Sequence, residues 1–252
     1  MPRYFIRVAY KGTNYAGFQV QDNANSVQAE VEKSLSIFFK ASFQLTCSSR
    51  TDAGVHALCN YFHFDSDILF DPEKLARSIY NLNAILPADI VITNIINVPG
   101  NAHCRFDALS REYEYYIYKS KNPFLSERAF YYPYSLDVDI LNASALLIKQ
   151  YADFTTFSKR NTQVKTFNCT ILESKWIIKE DCVVYSVKAN RFLRGMVRGL
   201  VGTMLRVGTG RINIDAFKAA IESKDCSQAD FSVPPQGLFL VNVNYPESLP
   251  KL

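Results

Sequence analysis

The sequence lacks the features that mark membrane, secreted and nucleotide-dependent proteins. Its 252 residues contain no apolar stretch long enough to span a membrane, and the opening Met-Pro-Arg-Tyr is not expected to be a targeting peptide. A glycine-rich phosphate loop is also missing. The six cysteines are scattered, with no Cys-x-x-Cys pair and no histidine at metal-ligand spacing. We therefore expect reduced, mostly buried thiols in a cytoplasmic protein without a metal site or a cofactor.

Size and charge set only broad bounds. The chain is long enough for one large domain or two moderate ones. Hydrophobic residues make up 48% and charged residues 21%, which is ordinary for a globular protein. The net charge of +4 is modest, so any preference for a polyanion has to come from the local distribution of charge.

The chain predicts an α+β fold in which one pattern occurs twice. Each half contains strand, helix, two strands, helix and strand, which is the order of a ferredoxin-like (βαββαβ-type) unit. Helix starts are expected at Asn25–Gln28 and Asp71–Pro72 in the first half, and at Asp137, about Phe192 and Asn213 in the second. Because no linker separates the halves, we predict two lobes, 1–105 and 106–252, that share a mostly antiparallel sheet.

The hydrophilic stretch SSRTDAGVHA, from Ser48 to Ala57, is the most informative segment. It places Asp52 between Arg50 and Gly54, at what reads as the tip of a strand-turn-strand. Asp-x-Gly alone is typical of an ordinary turn. A turn needs no arginine beside its aspartate, however, and a neighbouring guanidinium keeps a carboxylate ionised, as a nucleophile must be. The pattern assigns no role to His56.

A second segment, HCRFDALSREYEYYIY, contains an aromatic strand. Alternation places Tyr113, Tyr115 and Ile117 on one face of it. Tyrosines on strands usually pack in a core or along an edge. They also stack on bases in RNA-binding sheets, and the residues alone leave both interpretations open.

The third segment, KANRFLRGMVRGLVGTMLRVGTGRI, contains six basic residues and no acid. On a predicted helix from about 192 to 206, an inward apolar stripe leaves Arg191, Arg194 and Arg198 along another side. Such a face is either solvated or bound to phosphates, which would relieve the repulsion between its charges. Its glycines favour a helix that lies close to another backbone.

These segments together resemble the tRNA pseudouridine synthase A family. The family patterns G-R-T-D-A-G-V-H, H-A-R-F-S-A with R-x-Y-x-Y, and M-V-R-x-[IL]-V-G-[ST] match in order. Weaker matches at YKGTNYAGFQVQ and VPPQGLFLVNVNYP extend the resemblance from Tyr4 to Pro246. The chain departs from these family patterns at five positions: Lys11, Phe18, Ser49, Cys104 and Asp107.

The resemblance implies isomerisation of uridine to pseudouridine at positions 38, 39 and 40 of the tRNA anticodon arm, without cofactor or metal. It implies that Asp52 is the nucleophile in a cleft between the lobes, that Arg198 pairs with Asp52, and that Tyr113 packs against the flipped base. It also implies a homodimer. From their sign and position, the expected tRNA-binding residues are Arg50, Arg105, Arg191 and Arg194.

Two other classes of function are compatible with parts of the sequence. A non-catalytic RNA-binding module would use Tyr113 and Tyr115 as stacking platforms and would not depend on Asp52. A glycosidase would use Asp52 as nucleophile and needs a second carboxylate as acid or base. The nearby candidates for that carboxylate are Asp65 and Asp67.

Overall fold

A computed structural model describes residues 1–160 and 164–250. They form two compact units, which we call the first unit (Met1–Leu109 with the chain from Leu240 onwards) and the second unit (Ser110–Phe239). The sequence analysis placed the boundary at 105/106 and assigned the chain end to the second lobe; here the chain end packs with the first unit. Within the described residues, no helix combines the length and apolar character needed to cross a membrane.

The first unit pairs four strands in the order β4-β1-β3-β2, and every neighbouring pair is antiparallel. Two helices alternate with them. The bounds are β1 Arg3–Tyr10, α1 Val27–Phe39, β2 Thr46–Cys47, β3 His56–Asp65, α2 Leu75–Ile85 and β4 Ile90–Val98. Most side chains of β1 and β3 are buried, and the aromatic rings of Phe18, Phe62 and Phe64 lie inside this core.

Two predicted helix starts in the first unit were displaced. The hydroxyl of Ser26 accepts a hydrogen bond from the Ala29 N–H and caps α1, in place of the predicted Asn25–Gln28 pair. Asp71 accepts from the Glu73 N–H at 3.0 Å and closes a turn, and α2 begins only at Leu75. The Asp-Pro pair therefore begins a turn here and not a helix. An aspartate side chain can accept a backbone N–H both at a helix N-cap and in a turn, so the pattern fits either one.

The second unit contains a sheet in the order β5-β8-β7 with antiparallel neighbours, and the short β6 pairs in parallel with β5. The last strand, β9, crosses the boundary between the units. The bounds are β5 Ser110–Tyr118, β6 Phe130–Tyr131, α3 Val138–Leu147, β7 Ile171–Lys179, β8 Cys182–Ala189, α4 Met196–Gly208, α5 Ile214–Glu222 and β9 Leu238–Asn244. The protein is α+β with mostly antiparallel strands, as predicted.

The predicted start of α4 was wrong. The helix begins at Met196 because Gly195, its N-cap, has φ +74°, a left-handed conformation that interrupts the helical path. Arg191 and Arg194 therefore lie before the helix and do not share a helical face with Arg198. The prediction that glycines of this segment approach another backbone holds for Gly202, where a Cβ atom would overlap the carbonyl oxygen of Asp230.

Candidate active site

The loop that carries Asp52 is held by buried polar contacts on both sides. The Phe18 N–H donates to the Thr51 carbonyl at 3.1 Å. The hydroxyls of Thr51 and Tyr10 lie 2.8 Å apart. The Asn60 amide donates to the Ser49 carbonyl at 2.9 Å and to the Tyr10 hydroxyl at 3.2 Å. Because these groups are buried, the bonds fix the backbone immediately before Asp52.

The end of the loop is fixed in the same way. The Gly12 N–H donates to Nδ1 of His56 at 3.0 Å, and His56 is 1% exposed. The Gly54 N–H donates to the Tyr15 carbonyl at 3.3 Å. Nδ1 of His56 is therefore an acceptor in this contact, which supplies the structural role that the sequence did not assign to His56.

Glycines permit the close approach between this loop and the segment after β1. A Cβ atom on Gly12 would overlap the carbonyl oxygen of Val55, and one on Gly17 would lie 3.1 Å from the Thr51 carbonyl oxygen. Gly17 and Gly54 also have positive φ, at +111° and +76°. Gly12 and Gly17 belong to the weaker family match at YKGTNYAGFQVQ, which implies no function for them. In the structure they support this loop.

The Asp52 side chain is half-buried, while Thr51 and Val55 on either side of it are buried. The loop is longer than the tight turn that the sequence predicts, because β2 ends at Cys47 and β3 begins only at His56. A partly exposed carboxylate on a fixed backbone is compatible with a nucleophile.

Arg50 and Arg105, which are far apart in the sequence, lie near the same thiol of the first unit. Burial raises the pKa of Cys47, and the charges of both arginines and a hydrogen bond from Arg50 act against this rise. Arg50 is thus directed to Cys47, whereas the sequence analysis expected it to hold Asp52 ionised. Both arginines are exposed, so this side of the unit presents two cations to solvent.

An exposed aromatic ring that sequence reasoning missed stands beside Arg105. The Phe106 side chain is 74% exposed, and the Arg105 guanidinium lies 5.7 Å from the centre of its ring. The other neighbour of this ring is His103, with ring centres 4.2 Å apart. An exposed ring next to a cation is suited to stacking on a base. The signal in the sequence was its place directly after Arg105.

Tyr113 lies on β5 in the second unit and is 8% exposed. Its ring meets Phe192 edge to face, with the centres 5.0 Å apart. The predicted alternation is correct, because Tyr115 on the same face is fully buried and donates its hydroxyl to the Pro234 carbonyl at 2.7 Å. A ring buried in this way cannot stack on a base. Tyr115 is therefore excluded as one of the two stacking platforms that a non-catalytic RNA-binding module would use.

Arg198 lies in the first turn of α4, in the second unit. Its Nε donates to the Val233 carbonyl at 2.8 Å and an Nη atom to the Phe231 carbonyl at 3.4 Å. Burial raises the pKa of Tyr115, and the charge of Arg198 acts against that rise. Since a guanidinium has five N–H donors, these two bonds orient the group and leave donors for a further acceptor.

The other two predicted arginines of this unit have different surroundings. Arg194 is exposed, and its carbonyl accepts from the Lys159 N–H at 3.0 Å. Arg191 is half-buried near Cys169. Burial raises the pKa of Cys169 to about 11, and the charge of Arg191 acts to lower it. These residues lie in the irregular segment before α4.

Asp65 is unsuited to be the second carboxylate that a glycosidase would need. Arg3 forms a two-pronged ion pair with Asp65, at 2.7 and 2.8 Å. The hydrogen bond from Arg3 is the main reason why the pKa of Asp65 is lowered. An acid catalyst needs a raised pKa, so this residue does not support the glycosidase interpretation.

Comparison with known proteins gives a consistent result. A profile of the family described as tRNA pseudouridine synthase matches residues 6–107 and 151–246. The tRNA pseudouridine synthase A of Parabacteroides distasonis is 44% identical over 254 residues, covering 99% of this chain and 98% of that protein. Its counterpart in Porphyromonas gingivalis is 44% identical, with 99% of both chains covered. The Bacteroides thetaiotaomicron protein is 43% identical and covers 99% of this chain and 93% of its own length.

Proposed function

Because the chain belongs to the tRNA pseudouridine synthase A family, we propose that it isomerises uridine to pseudouridine at positions 38, 39 and 40 of the tRNA anticodon stem-loop. Family membership makes the chain a tRNA pseudouridine synthase, an isomerase. What we propose beyond this is the three positions on tRNA, the residues that act there and the assembly of the enzyme.

The reaction breaks the bond between the ribose and N1 of uracil, turns the base, and joins C5 of the base to the same ribose carbon. C5 then loses its proton, and N1 gains one. Atoms balance without oxidation, reduction or net hydrolysis. Asp52 acts as the nucleophile toward the ribose or the base, or assists by removing a sugar proton. The observation that carries this role is its half-buried carboxylate on a loop whose backbone is held on both sides.

We assign Arg198 to a pair with Asp52 that keeps the carboxylate ionised and oriented, in a cleft between two lobes. Support comes from the guanidinium itself, which is oriented by two backbone carbonyls and has further donors available. Tyr113 packs against the flipped uracil. The edge-to-face contact with Phe192 holds the Tyr113 ring in one orientation. Packing against a base requires a ring held in this way.

The target nucleotide must leave its stack before reaction, which costs a few kcal/mol and demands contacts to the RNA backbone. Arg50 and Arg105 provide these from the first unit, with Phe106 as a stacking surface. Arg191 and Arg194 provide them from the second. Arg50, Arg105 and Arg194 are exposed and Arg191 is half-buried. Cations that reach solvent from loops are well placed for phosphates, because they stay charged until the RNA arrives.

The remaining parts of the proposal concern architecture, assembly and location. The strand order β4-β1-β3-β2 supports a ferredoxin-like first lobe, and β5-β8-β7 is compatible with a second that shares its sheet. Large apolar side chains exposed on the second unit, Phe124, Leu146 and Ile178, support a homodimer. Six free cysteines support a reducing compartment, the cytoplasm.

The test is pseudouridine formation in unmodified tRNA transcripts that carry uridine at only one of positions 38, 39 and 40. Wild type, Asp52→Asn and Asp67→Asn are compared, with tRNA binding measured in parallel. We expect product at each position from wild type and Asp67→Asn, and none from Asp52→Asn, with binding retained by all three. Product from Asp52→Asn would refute the nucleophile; product at other positions alone would refute the assigned site on tRNA.

A further inference from the structure

Two histidines and a cysteine of the first unit converge in the fold, although the sequence separates them. His63 lies near the end of β3, and His103 and Cys104 follow β4. Their candidate ligand atoms all lie within 4.8 Å of one another. Nδ1 of His63 is 3.2 Å from Sγ of Cys104, and the two imidazole ring centres are 4.5 Å apart.

The burial and orientation of the three side chains suit a metal ligand set. Cys104 is fully buried and His63 is 7% exposed, while His103 is half-buried and provides a route from solvent. Nδ1 of His63 accepts a hydrogen bond from the Cys104 N–H at 3.3 Å, so a lone pair of this nitrogen points toward Cys104.

We propose that His63, His103 and Cys104 bind a zinc ion, with a water molecule as the fourth ligand. Two imidazoles and a thiolate are ligands that Zn²⁺ prefers, in tetrahedral geometry. Zn–N bonds of about 2.0–2.1 Å and Zn–S bonds of about 2.3 Å place neighbouring ligand atoms about 3.3–3.6 Å apart. The distance from Nδ1 of His63 to Sγ of Cys104, 3.2 Å, is slightly shorter than that spacing, and the half-buried His103 ring has to move by about an ångström to complete the set.

Hydrogen bonds around the three side chains hold them in place. They also show which proton and which hydrogen bonds are lost when zinc binds. The Cys104 thiol donates to the Thr46 carbonyl at 3.1 Å, and this proton leaves when the thiolate binds zinc. The backbone N–H of His103 donates to Asp107 at 2.8 Å. Nδ1 of His103 accepts two long bonds, from the N–H groups of Arg105 and Phe106, which are released when the ring turns toward the ion.

Zinc bound here would join β3 to the segment that presents Arg105 and Phe106. The site uses none of the side chains assigned to the isomerisation but adjoins Arg105 and Phe106, which we propose bind tRNA, and its occupation can be measured without any enzymatic assay. Cys104 stands where the family pattern has alanine, so this chain supplies a thiolate at a position where that pattern supplies a methyl group. We therefore expect the ion to stabilise the first unit.

The experiment titrates chelator-treated full-length protein with Zn²⁺ by calorimetry, and with Co²⁺ to detect the thiolate-to-cobalt charge-transfer absorption. Wild type is compared with Cys104→Ala, with His103→Ala, and with the control Cys226→Ala, which removes a part-exposed thiol of the second unit. We expect one equivalent of metal, the absorption band and a higher melting temperature for wild type and the control. In Cys104→Ala the band should vanish, and both site variants should bind about tenfold more weakly or worse.

Circular dichroism shows whether each variant is folded, and the half-buried His103 gives a variant that leaves the buried core intact. The proposal is overturned if wild type binds no metal, if Cys104→Ala retains the charge-transfer band, or if Cys226→Ala loses it. Failure of these measurements would leave the assignment of Asp52 untouched, since the two use different side chains and different readouts.

Discussion

The two segments assigned to catalysis are held in place by different means. In the Asp52 loop, the backbone and the neighbouring side chains provide the anchoring bonds, through Thr51, His56 and Gly54, and the carboxylate is the group that the loop presents. At the start of α4, the guanidinium of Arg198 itself donates to the carbonyls of Val233 and Phe231. The Asp52 carboxylate is therefore held by bonds that other groups make. The Arg198 guanidinium makes the anchoring bonds itself.

This difference determines what a substitution can reveal. Replacing a group that does not anchor its own loop removes chemistry and leaves the fold intact. Replacing a group that is also an anchor removes both, because the carbonyls it satisfied lose their partner. Measuring stability beside activity therefore separates the two segments.

The largest effect is expected for Asp52→Asn. The change removes the nucleophile and keeps the size of the side chain, so turnover should fall by about 10³-fold or more. The melting temperature and the affinity for tRNA should stay as in wild type. Single-turnover assays, thermal unfolding and filter binding measure the three quantities. A clear fall in melting temperature would mean that the carboxylate is an anchor after all.

Gly12→Ala tests the support of the same loop. The added methyl group would overlap the Val55 carbonyl oxygen, and overpacking of this kind costs about 1–3 kcal/mol. We expect a lower free energy of unfolding and a large loss of turnover, since the loop must move to admit the methyl group. Gly100→Ala is the matched control, because nothing lies within 4 Å of that position. Equal behaviour of both variants would contradict the anchoring role.

Arg198→Ala should lower stability and activity together. Loss of two hydrogen bonds from a charged group to carbonyls should cost about 1–3 kcal/mol in the free energy of unfolding, measured in urea. Turnover should fall because Asp52 loses its proposed partner. Arg206→Ala, in the last turn of the same helix, is the control. Wild-type turnover in Arg198→Ala would refute the pair with Asp52.

The smallest effect is expected for Arg194→Ala. This side chain is exposed, so its removal should leave stability and turnover at saturating tRNA unchanged. If it contacts one phosphate, the slope of log affinity against log salt concentration should fall by about one unit. Arg77→Ala, an exposed arginine on α2, serves as the control. An unchanged slope would make Arg194 an ordinary solvated residue.

Local signals in the sequence predicted much of the fold. Asp137 and Asn213 cap α3 and α5 as expected, because an N-cap bond depends only on residues two or three positions away. The predicted start of α4 was wrong, because the apolar stripe continues across Gly195 and carries no information about the left-handed φ of that residue.

The candidate site was predictable in its residue types and not in its supports. The Asp52 motif was visible as a string of neighbours. Its anchors Tyr10, Gly12 and Asn60 each lie on another part of the chain, and a hydrogen bond across the fold leaves no periodic pattern in sequence. His63 and Cys104 escaped notice for the same reason: 41 residues separate them, beyond any metal-ligand spacing that a motif search uses.

The distribution of these anchors has a practical consequence for protein engineering. A graft of residues 48–56 into another scaffold would carry the aspartate and leave behind the glycine, tyrosine and asparagine that shape its backbone. The smallest portable version of this loop is therefore discontinuous, and includes the end of β1, the segment after it through Phe18, and Asn60. Libraries that diversify the loop for new substrates should hold those distant positions constant.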